Sequence, residues 1–344
     1  MSIDKKLDNV VMKNIHWGIM GTGAIARKFA ADLALVEDSS LVAIGSRTMT
    51  AATQFAINFQ IEHIHGSYAG LALNPFVDVI YIATPHHLHY ENTLLCLNSG
   101  KAVLCEKPFA INLTQAEAMV KLAKEKKLFL MEALWTKFLP HFIEMQRMIV
   151  DGLLGEIRVI KADFGFKPQL PINNRLFDPE LGGGSLMDIG IYNVFLALTL
   201  LGKPDQIDAS MILSKSGVDE QCSVTFRYDN GAIAQLLSSL AADQPTEADI
   251  CGTEGRIRLI SRFYEPAGAI EYTNILGRKV IPVLLEKGFG YQYEARHVAD
   301  CLRKDLTESP VHSFADTLLQ TETLDRIRAI AGIHYPADTI IHKF

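Results

Sequence analysis

The sequence predicts an α/β protein in two parts. Residues 1–131 read as a doubly wound parallel sheet, and residues 132–344 as an α+β domain with a large, mainly antiparallel open sheet. Three observations carry this. The first third alternates short continuous apolar runs with helical stretches, the pattern of strands buried on both faces and joined by crossover helices. A glycine-rich turn, Gly21-Thr22-Gly23-Ala24-Ile25-Ala26, sits where the first run meets the first helix. Beyond residue 205, several strand-like runs follow one another without helices between them, which favours antiparallel neighbours.

The elements follow in order. Residues 15–20 are an apolar run ending at Gly21, and 25–35 read as a helix. A second run covers 41–46, and His63 and His65 share one face of a short extended stretch. Residues 77–83 (VDVIYIA) are closed by Thr84-Pro85, and the helix over 89–98 is stopped by Gly100. After a strand over 102–105, Thr114 and Glu117 have capping-box spacing for a helix ending near Lys126, and 128–131 form the last strand of this part. Pro140 begins a helix that Gly152 ends. Residues 157–166 are extended and partly alternating, and the glycines at 182, 183 and 184 open a helix over 185–201. Strand-like runs cover 207–213, 222–228, 232–238, 247–251 and 256–260, with hairpin chemistry at Asp229-Asn230-Gly231 and a second turn at Thr253-Glu254-Gly255. Helices over 291–304 and 314–331 close the chain, the second stopped by Gly332.

Composition narrows the function. At ~150 residues per domain, 344 residues make about two domains. With 49% hydrophobic and 21% charged residues the chain can bury a sizeable core and is not a disordered polymer. A net charge of −6 implies no basic face, so nucleic acid is not an expected partner. The longest apolar stretch, around 195–201, falls short of the ~20 residues that span a bilayer, so no membrane partner is expected either. The first residues carry Asp4 and Asp8 and no apolar core, which predicts no secretion signal; those before Met12 read as a loose tail. Five cysteines, odd in number and without a CxxC pair, suit a reducing compartment, and a cytoplasmic location is the expectation.

The chemistry begins at the glycine turn. Gly21-x-Gly23-x-x-Ala26 fits the dinucleotide fingerprint of a Rossmann domain. The first glycine permits the tight turn, the second lets backbone approach a pyrophosphate, and the small third residue lets helix and strand pack closely. The free N–H groups of the helix then face the phosphates. A merely structural glycine turn is the bland alternative. At the end of the second strand, where an acidic residue would hold the ribose of NAD, stand Ser46-Arg47-Thr48. A guanidinium and two hydroxyls suit a 2′-phosphate, so NADP is favoured; if Arg47 is only a solvated arginine, NAD binds instead.

Glu106-Lys107-Pro108 follows a strand whose carboxyl end faces the ligand cleft of such a sheet, so Lys107 is aimed at a substrate oxygen or lies in a surface loop. Asp188 and Tyr192, four apart, share one helix face, and a tyrosine near a lysine can move a proton to or from a carbonyl/alcohol pair. Against this, Asp188 is placed to complete a capping box with Ser185, and Tyr192 to be a core aromatic. His86-His87-Leu88-His89 has no acidic or cysteine neighbour, and no metal is expected there.

Together these pieces resemble the glucose–fructose oxidoreductase/inositol dehydrogenase (Gfo/Idh/MocA) family over about residues 15–336. The marks are Gly21-x-Gly23-x-x-Ala26, Thr84-Pro85-His86-x-x-His89, Glu106-Lys107-Pro108 and Gly183-Gly184-x-x-x-Asp188-x-Gly190. The stretches Met131-Glu132-Ala133-Leu134-Trp135-Thr136-x-Phe138 and Tyr293-Glu294-Ala295-x-His297-Val298 are similar to the dihydrodiol dehydrogenase and NADP-xylose dehydrogenase branch, as is Tyr192 in place of the histidine common elsewhere. The resemblance implies that Lys107 and Tyr192 are the catalytic pair and that Asp188 orients a substrate hydroxyl. It implies that Trp135 and Phe164 line the substrate pocket with Asp188 and Tyr192. Cofactor contacts would come from Gly21, Thr22, Gly23, Ala24, Ile25, Ser46, Arg47, Thr84, Pro85, His86, His89, Glu106 and Lys107, with His86 departing from the usual asparagine. The implied activity is an NADP-dependent oxidoreductase acting on a cyclic sugar, polyol or trans-dihydrodiol, with the Lys107 ammonium lowering the pKa of Tyr192. An NAD-assisted lyase or glycosidase and a non-catalytic cofactor-sensing regulator are the other readings on this fold. The apolar strands near 224–226 and 233–237 predict a homo-oligomer, most simply a dimer, through the C-terminal sheet.

Overall fold

The computed structural model describes residues 13–169, 175–260 and 262–339; the stretch before Met12, read above as a tail, lies outside them. The first part runs β1 (Ile15–Met20), α1 (Ala24–Leu33), β2 (Ser39–Gly45), α2 (Met49–Phe59), β3 (His63–His65), α3 (Tyr68–Ala72), β4 (Val79–Ile82), α4 (His89–Asn98), β5 (Ala102–Glu106), α5 (Leu113–Lys126) and β6 (Leu130–Ala133). The six strands are parallel in the order β3-β2-β1-β4-β5-β6. The order reverses between β1 and β4, and this is where such a sheet opens a ligand crevice. β1, β4 and β5 are almost wholly buried, which explains their unbroken apolar runs. Phe29 of α1 stacks on Tyr81 of β4 with ring centroids 3.8 Å apart and tilts against Trp17 of β1, so the first helix is clamped to the sheet next to the glycine turn.

The second part adds α6 (Pro140–Val150), β7 (Ile157–Gly165), α7 (Ile191–Leu201), β8 (Gln206–Leu213), β9 (Asp219–Arg227), β10 (Ile233–Ser239), β11 (Ala248–Gly252), β12 (Gly255–Leu259), β13 (Ala269–Asn274), β14 (Gly277–Pro282), α8 (Tyr291–Arg303) and α9 (Phe314–Ala331). Its eight-stranded sheet has the order β14-β13-β12-β11-β7-β10-β9-β8. All neighbours are antiparallel except β7 and β10. α7 and α9 pack on this sheet, while β10 turns Ile233, Gln235 and Leu237 outward. The Asp229-Asn230-Gly231 turn joins β9 to β10 as expected, with Gly231 at φ +84°.

Several local expectations change. α5 is capped by Asn112, which accepts from the Gln115 N–H, so the Thr114–Glu117 capping box does not form. Thr48 accepts from the Ala51 N–H and caps α2, which engages one of the two hydroxyls assigned above to a phosphate. The helix expected over 185–201 begins as a π-turn, Leu186–Gly190. Ser185 does not cap Asp188: its hydroxyl donates to the buried Asp219 carboxylate, which also takes the Leu186 N–H. The helical run Pro179–Leu201 is long and apolar enough to cross a membrane by composition, yet 83% of that window is buried in the core. β13, β14, α2 and α3 were not foreseen.

Candidate active site

A cleft of about 610 Å³ lies between the carboxyl ends of the parallel strands and the inner face of the second sheet. Gly21, Thr22, Gly23, Ala24, Ile25, Ser46, Arg47, Thr84, Pro85, His86, Glu106, Lys107, Trp135, Phe164, Asp188 and Tyr192 all line it. His89 does not: it is fully buried, and its Nδ1 and Nε2 lie 2.8 Å from the carbonyls of Pro108 and Thr84. It ties the β4 and β5 loops together behind the cleft, which corrects its assignment as a cofactor contact.

The glycine turn has the shape its sequence implies. Gly21 sits at φ +110°, and a Cβ there would lie 2.6 Å from the Ala83 carbonyl. A Cβ on Gly23 would meet nothing within 4 Å, so this residue faces open cleft. Gly23 caps α1 without a side-chain hydrogen bond, and the first turn of α1 holds no acid. Free N–H groups at a helix start with no competing carboxylate fit a pyrophosphate. Arg47 has no hydrogen bond or ion pair among the described residues and lines the same cleft as Ser46 and Tyr68.

Charge is concentrated where Lys107 meets Asp188. The Lys107 ammonium donates to the Asp188 backbone carbonyl at 2.6 Å and lies 3.8 Å from Asp188 Oδ1. Arg175 reaches the same Oδ1 at 3.0 Å. Burial works to raise the Asp188 pKa, but Lys107, Arg175 and His86 overcome it and hold it at about 2. The carboxylate is therefore ionised. Glu106 shows the opposite outcome. Burial pushes its pKa up to about 7, despite the hydrogen bond that Tyr81 donates and the nearby Lys107 charge. Behind it, Glu294 of α8 is fully buried with no hydrogen-bond partner for either oxygen among the described residues, and burial followed by repulsion from Glu106 raises its pKa well above the carboxylate range.

Tyr192 lies under the Lys107 ammonium, which sits 5.1 Å from the ring centroid. The expected lowering of its pKa does not occur. Burial, with the neighbouring Tyr291 and Glu106, raises it well above 10, so the phenol is held protonated. The ammonium covers the ring face and spends its close hydrogen bond on Asp188. Around Tyr192 the wall is aromatic: Tyr264 is stacked on Phe164 at 4.2 Å and tilted against Tyr192 at 4.9 Å, and Tyr291 is stacked on Trp135 at 4.5 Å. The Trp135 indole N–H is buried beside Tyr192 and works, weakly, against that rise in pKa. Lys28, Tyr68, Phe166, Arg175, Tyr264, Glu265 and Tyr291 also line the cleft and were missed. Only the position of Tyr291 beside the Tyr293-Glu294-Ala295 stretch offered a sequence clue.

This constellation, a phosphate-ready glycine turn facing a lysine, a tyrosine and an aspartate, defines an NAD(P)-dependent oxidoreductase. Residues 15–134 match the family model for the oxidoreductase family with an NAD-binding Rossmann fold, and residues 142–258 match that for the GFO/IDH/MocA C-terminal domain. The trans-1,2-dihydrobenzene-1,2-diol dehydrogenase of Xenopus tropicalis is 36% identical over 329 residues, 93% of this chain and 99% of the relative. The Homo sapiens enzyme of the same name is 34% identical over 332 residues, covering 94% and 99%. Among solved structures, the aldose-aldose oxidoreductase of Caulobacter crescentus complexed with glycerol superposes with a TM-score of 0.86 at 25% identity, covering 93% and 98%. KijD10, a 3-ketoreductase from Actinomadura kijaniata in complex with NADP and TDP-benzene, gives 0.82 at 27% identity over the same shares. The chain belongs to the Gfo/Idh/MocA oxidoreductase family.

Proposed function

We propose that this protein is an NADP-dependent dehydrogenase/reductase that interconverts a hydroxyl and a carbonyl on a cyclic sugar, polyol or trans-dihydrodiol. The observation that carries the reading is the convergence of Lys107, Asp188 and Tyr192 opposite the glycine turn. When bound, the nicotinamide dinucleotide donates or accepts the hydride. The backbone at 21–25 would hold its pyrophosphate, and Ser46 and Arg47 its 2′-phosphate. Arg47, without a hydrogen bond or ion pair among the described residues, and the absence of an acid at the end of β2 support NADP over NAD.

The chain's own residues handle the oxygen and its proton. Lys107 hydrogen-bonds the reacting oxygen and stabilises negative charge that develops on it. Tyr192, protonated at rest, gives its proton to that oxygen during carbonyl reduction. The reverse, oxidative step starts from the deprotonated phenolate, which takes the hydroxyl proton. Asp188, ionised and with no donor at Oδ2 among the described residues, accepts from a second substrate hydroxyl. Trp135, Phe164, Tyr264 and Tyr291 give the substrate ring an apolar seat, which suits homologues named for a benzene-derived diol. The outward apolar residues of β10, Ile233 and Leu237, support a homodimer formed through the open sheet face.

The test is Tyr192→Phe. Turnover of trans-cyclic diols and aldoses with NADP should fall by about 10²–10⁴, the usual worth of a positioned acid–base group. NADPH binding, followed by fluorescence, should persist. Normal turnover by this variant would refute the assignment.

A further inference from the structure

The imidazole of His86 is buried between the two parts of the chain, with 8% of its surface exposed. Its Nδ1 lies 3.1 Å from the Gly182 carbonyl oxygen. A carbonyl only accepts, so Nδ1 carries the hydrogen and the neutral ring leaves a lone pair on Nε2. Burial, opposed by Asp188, lowers the His86 pKa to about 3 and keeps the ring neutral. The fold enforces this tautomer. Gly182 sits at φ +71°, and a Cβ on it would come within 2.5 Å of Ile111 Cδ1 and 3.3 Å of His86 Cβ. Only glycine lets that turn lay its carbonyl on the histidine.

The outer nitrogen is then turned toward the substrate wall. His86 Nε2 is 3.8 Å from Asp188 Oδ1, and the carboxylate is ionised, so two acceptors face each other with no hydrogen between them. The cations nearby do not fill that need. Arg175 is bonded to Oδ1, and Lys107 makes its close bond to the Asp188 carbonyl. Oδ2 of Asp188 has no protein partner among the described residues. Two adjacent acceptors lining a cleft call for two adjacent donors, and neighbouring hydroxyls on a ring supply them.

We infer that His86 Nε2 accepts a hydrogen bond from a further substrate hydroxyl next to the one held by Asp188, which makes His86 a specificity-determining residue that favours rings with three neighbouring hydroxyls over simple diols. This rests on the dehydrogenase reading above. The two ring nitrogens of His86 face Gly182 and Asp188, both on the second part of the chain.

The experiment compares a cyclohexane-1,2,3-triol with trans-1,2-cyclohexanediol as substrates, at saturating NADP, for wild type, His86→Leu and His86→Asn. The ratio of kcat/KM for the triol to that for the diol cancels any shared loss in cofactor binding or folding. It should fall about tenfold or more in His86→Leu, as expected for one lost hydrogen bond to a substrate hydroxyl. It should recover in part in His86→Asn, whose amide oxygen can accept. An unchanged ratio in both variants would overturn the inference. So would a loss of NADPH affinity that accounts for the whole effect equally on both substrates. If the wild type oxidised neither compound, nor any aldose, the dehydrogenase reading would fall first and this inference with it.

Discussion

On the first wall of the cleft, the groups that face a ligand are largely backbone. Gly21 makes the tight turn, its N–H held by the Gly45 carbonyl, Gly23 opens the start of α1 to the cleft, and the strands behind them are buried and regular. On the opposite wall the groups are side chains, brought in by a π-turn (Asp188), the first turn of α7 (Tyr192), a loop after β12 (Tyr264) and the start of α8 (Tyr291). The first wall depends on shape, because backbone must approach a phosphate closely. The second depends on charge and on the ordering of neighbouring rings. Changes to the two walls should therefore fail in different ways, the first in cofactor binding and folding, the second in chemistry.

The largest effect should come from the second wall's chemistry, tested where the walls touch. Lys107→Met should lower kcat/KM by about 10²–10⁴ through lost oxygen stabilisation while the melting temperature changes little. Steady-state kinetics beside a thermal melt would show it, and a drop in stability without loss of turnover would break the division. Next is Gly21→Ala. A Cβ 2.6 Å from the Ala83 carbonyl at φ +110° should destabilise the fold by ~1–3 kcal/mol and weaken both nicotinamide dinucleotides together. Denaturant unfolding and cofactor titration measure the two parts of that claim. Arg47→Ser should cost about 1.5–3 kcal/mol of NADPH affinity, as for a charge-assisted hydrogen bond, and leave NADH nearly unaffected. Equal losses for both cofactors would mean that Arg47 does not read a phosphate.

The smallest expected effect is on stability against pH. Glu106 has a folded pKa of about 7, raised above its unfolded value by burial. The folded state therefore binds the proton more tightly than the unfolded chain. Its contribution is full below about pH 4.5 and is lost as pH rises toward 7. Glu106→Gln should flatten the fall in melting temperature across that window, while the raised pKa of Glu294 leaves a residual slope in the same direction. Asp188 works the other way: with a pKa of about 2, its contribution is present above pH 3.8 and lost only as pH falls toward 2. A slope unchanged by Glu106→Gln would show that the carboxyl is not the titrating group.

Much of the first wall was legible in the sequence, and the reason is local. β1, α4 and α9 begin and end where apolar runs, Gly21, Gly100 and Gly332 said they would. The glycine turn and Lys107 are recognisable because their chemistry depends on neighbours along the chain. Asn112 and Thr48 took capping roles that two competing hydroxyl patterns obscured. Asp219 captured Ser185 from far along the chain, which changed the start of α7 from an ordinary cap to a π-turn. Tyr264, Arg175 and Tyr291 reach the cleft only through tertiary packing and carry no periodic mark. The pKa of Tyr192 was misjudged for the same reason: proximity to a cation is readable as a motif, whereas complete burial beside Tyr291 and Glu106 is a property of the folded whole.

The central claim is that this cleft holds a phosphorylated nicotinamide dinucleotide through Arg47 and the glycine turn. Fluorescence titration of the purified protein with NADPH and NADH, after checking for cofactor carried through purification, tests it most directly. Exchangeable binding with NADPH at least about tenfold tighter, a difference of about 1.4 kcal/mol, is the predicted result. Tightly retained NAD, or a preference for NADH, would contradict it.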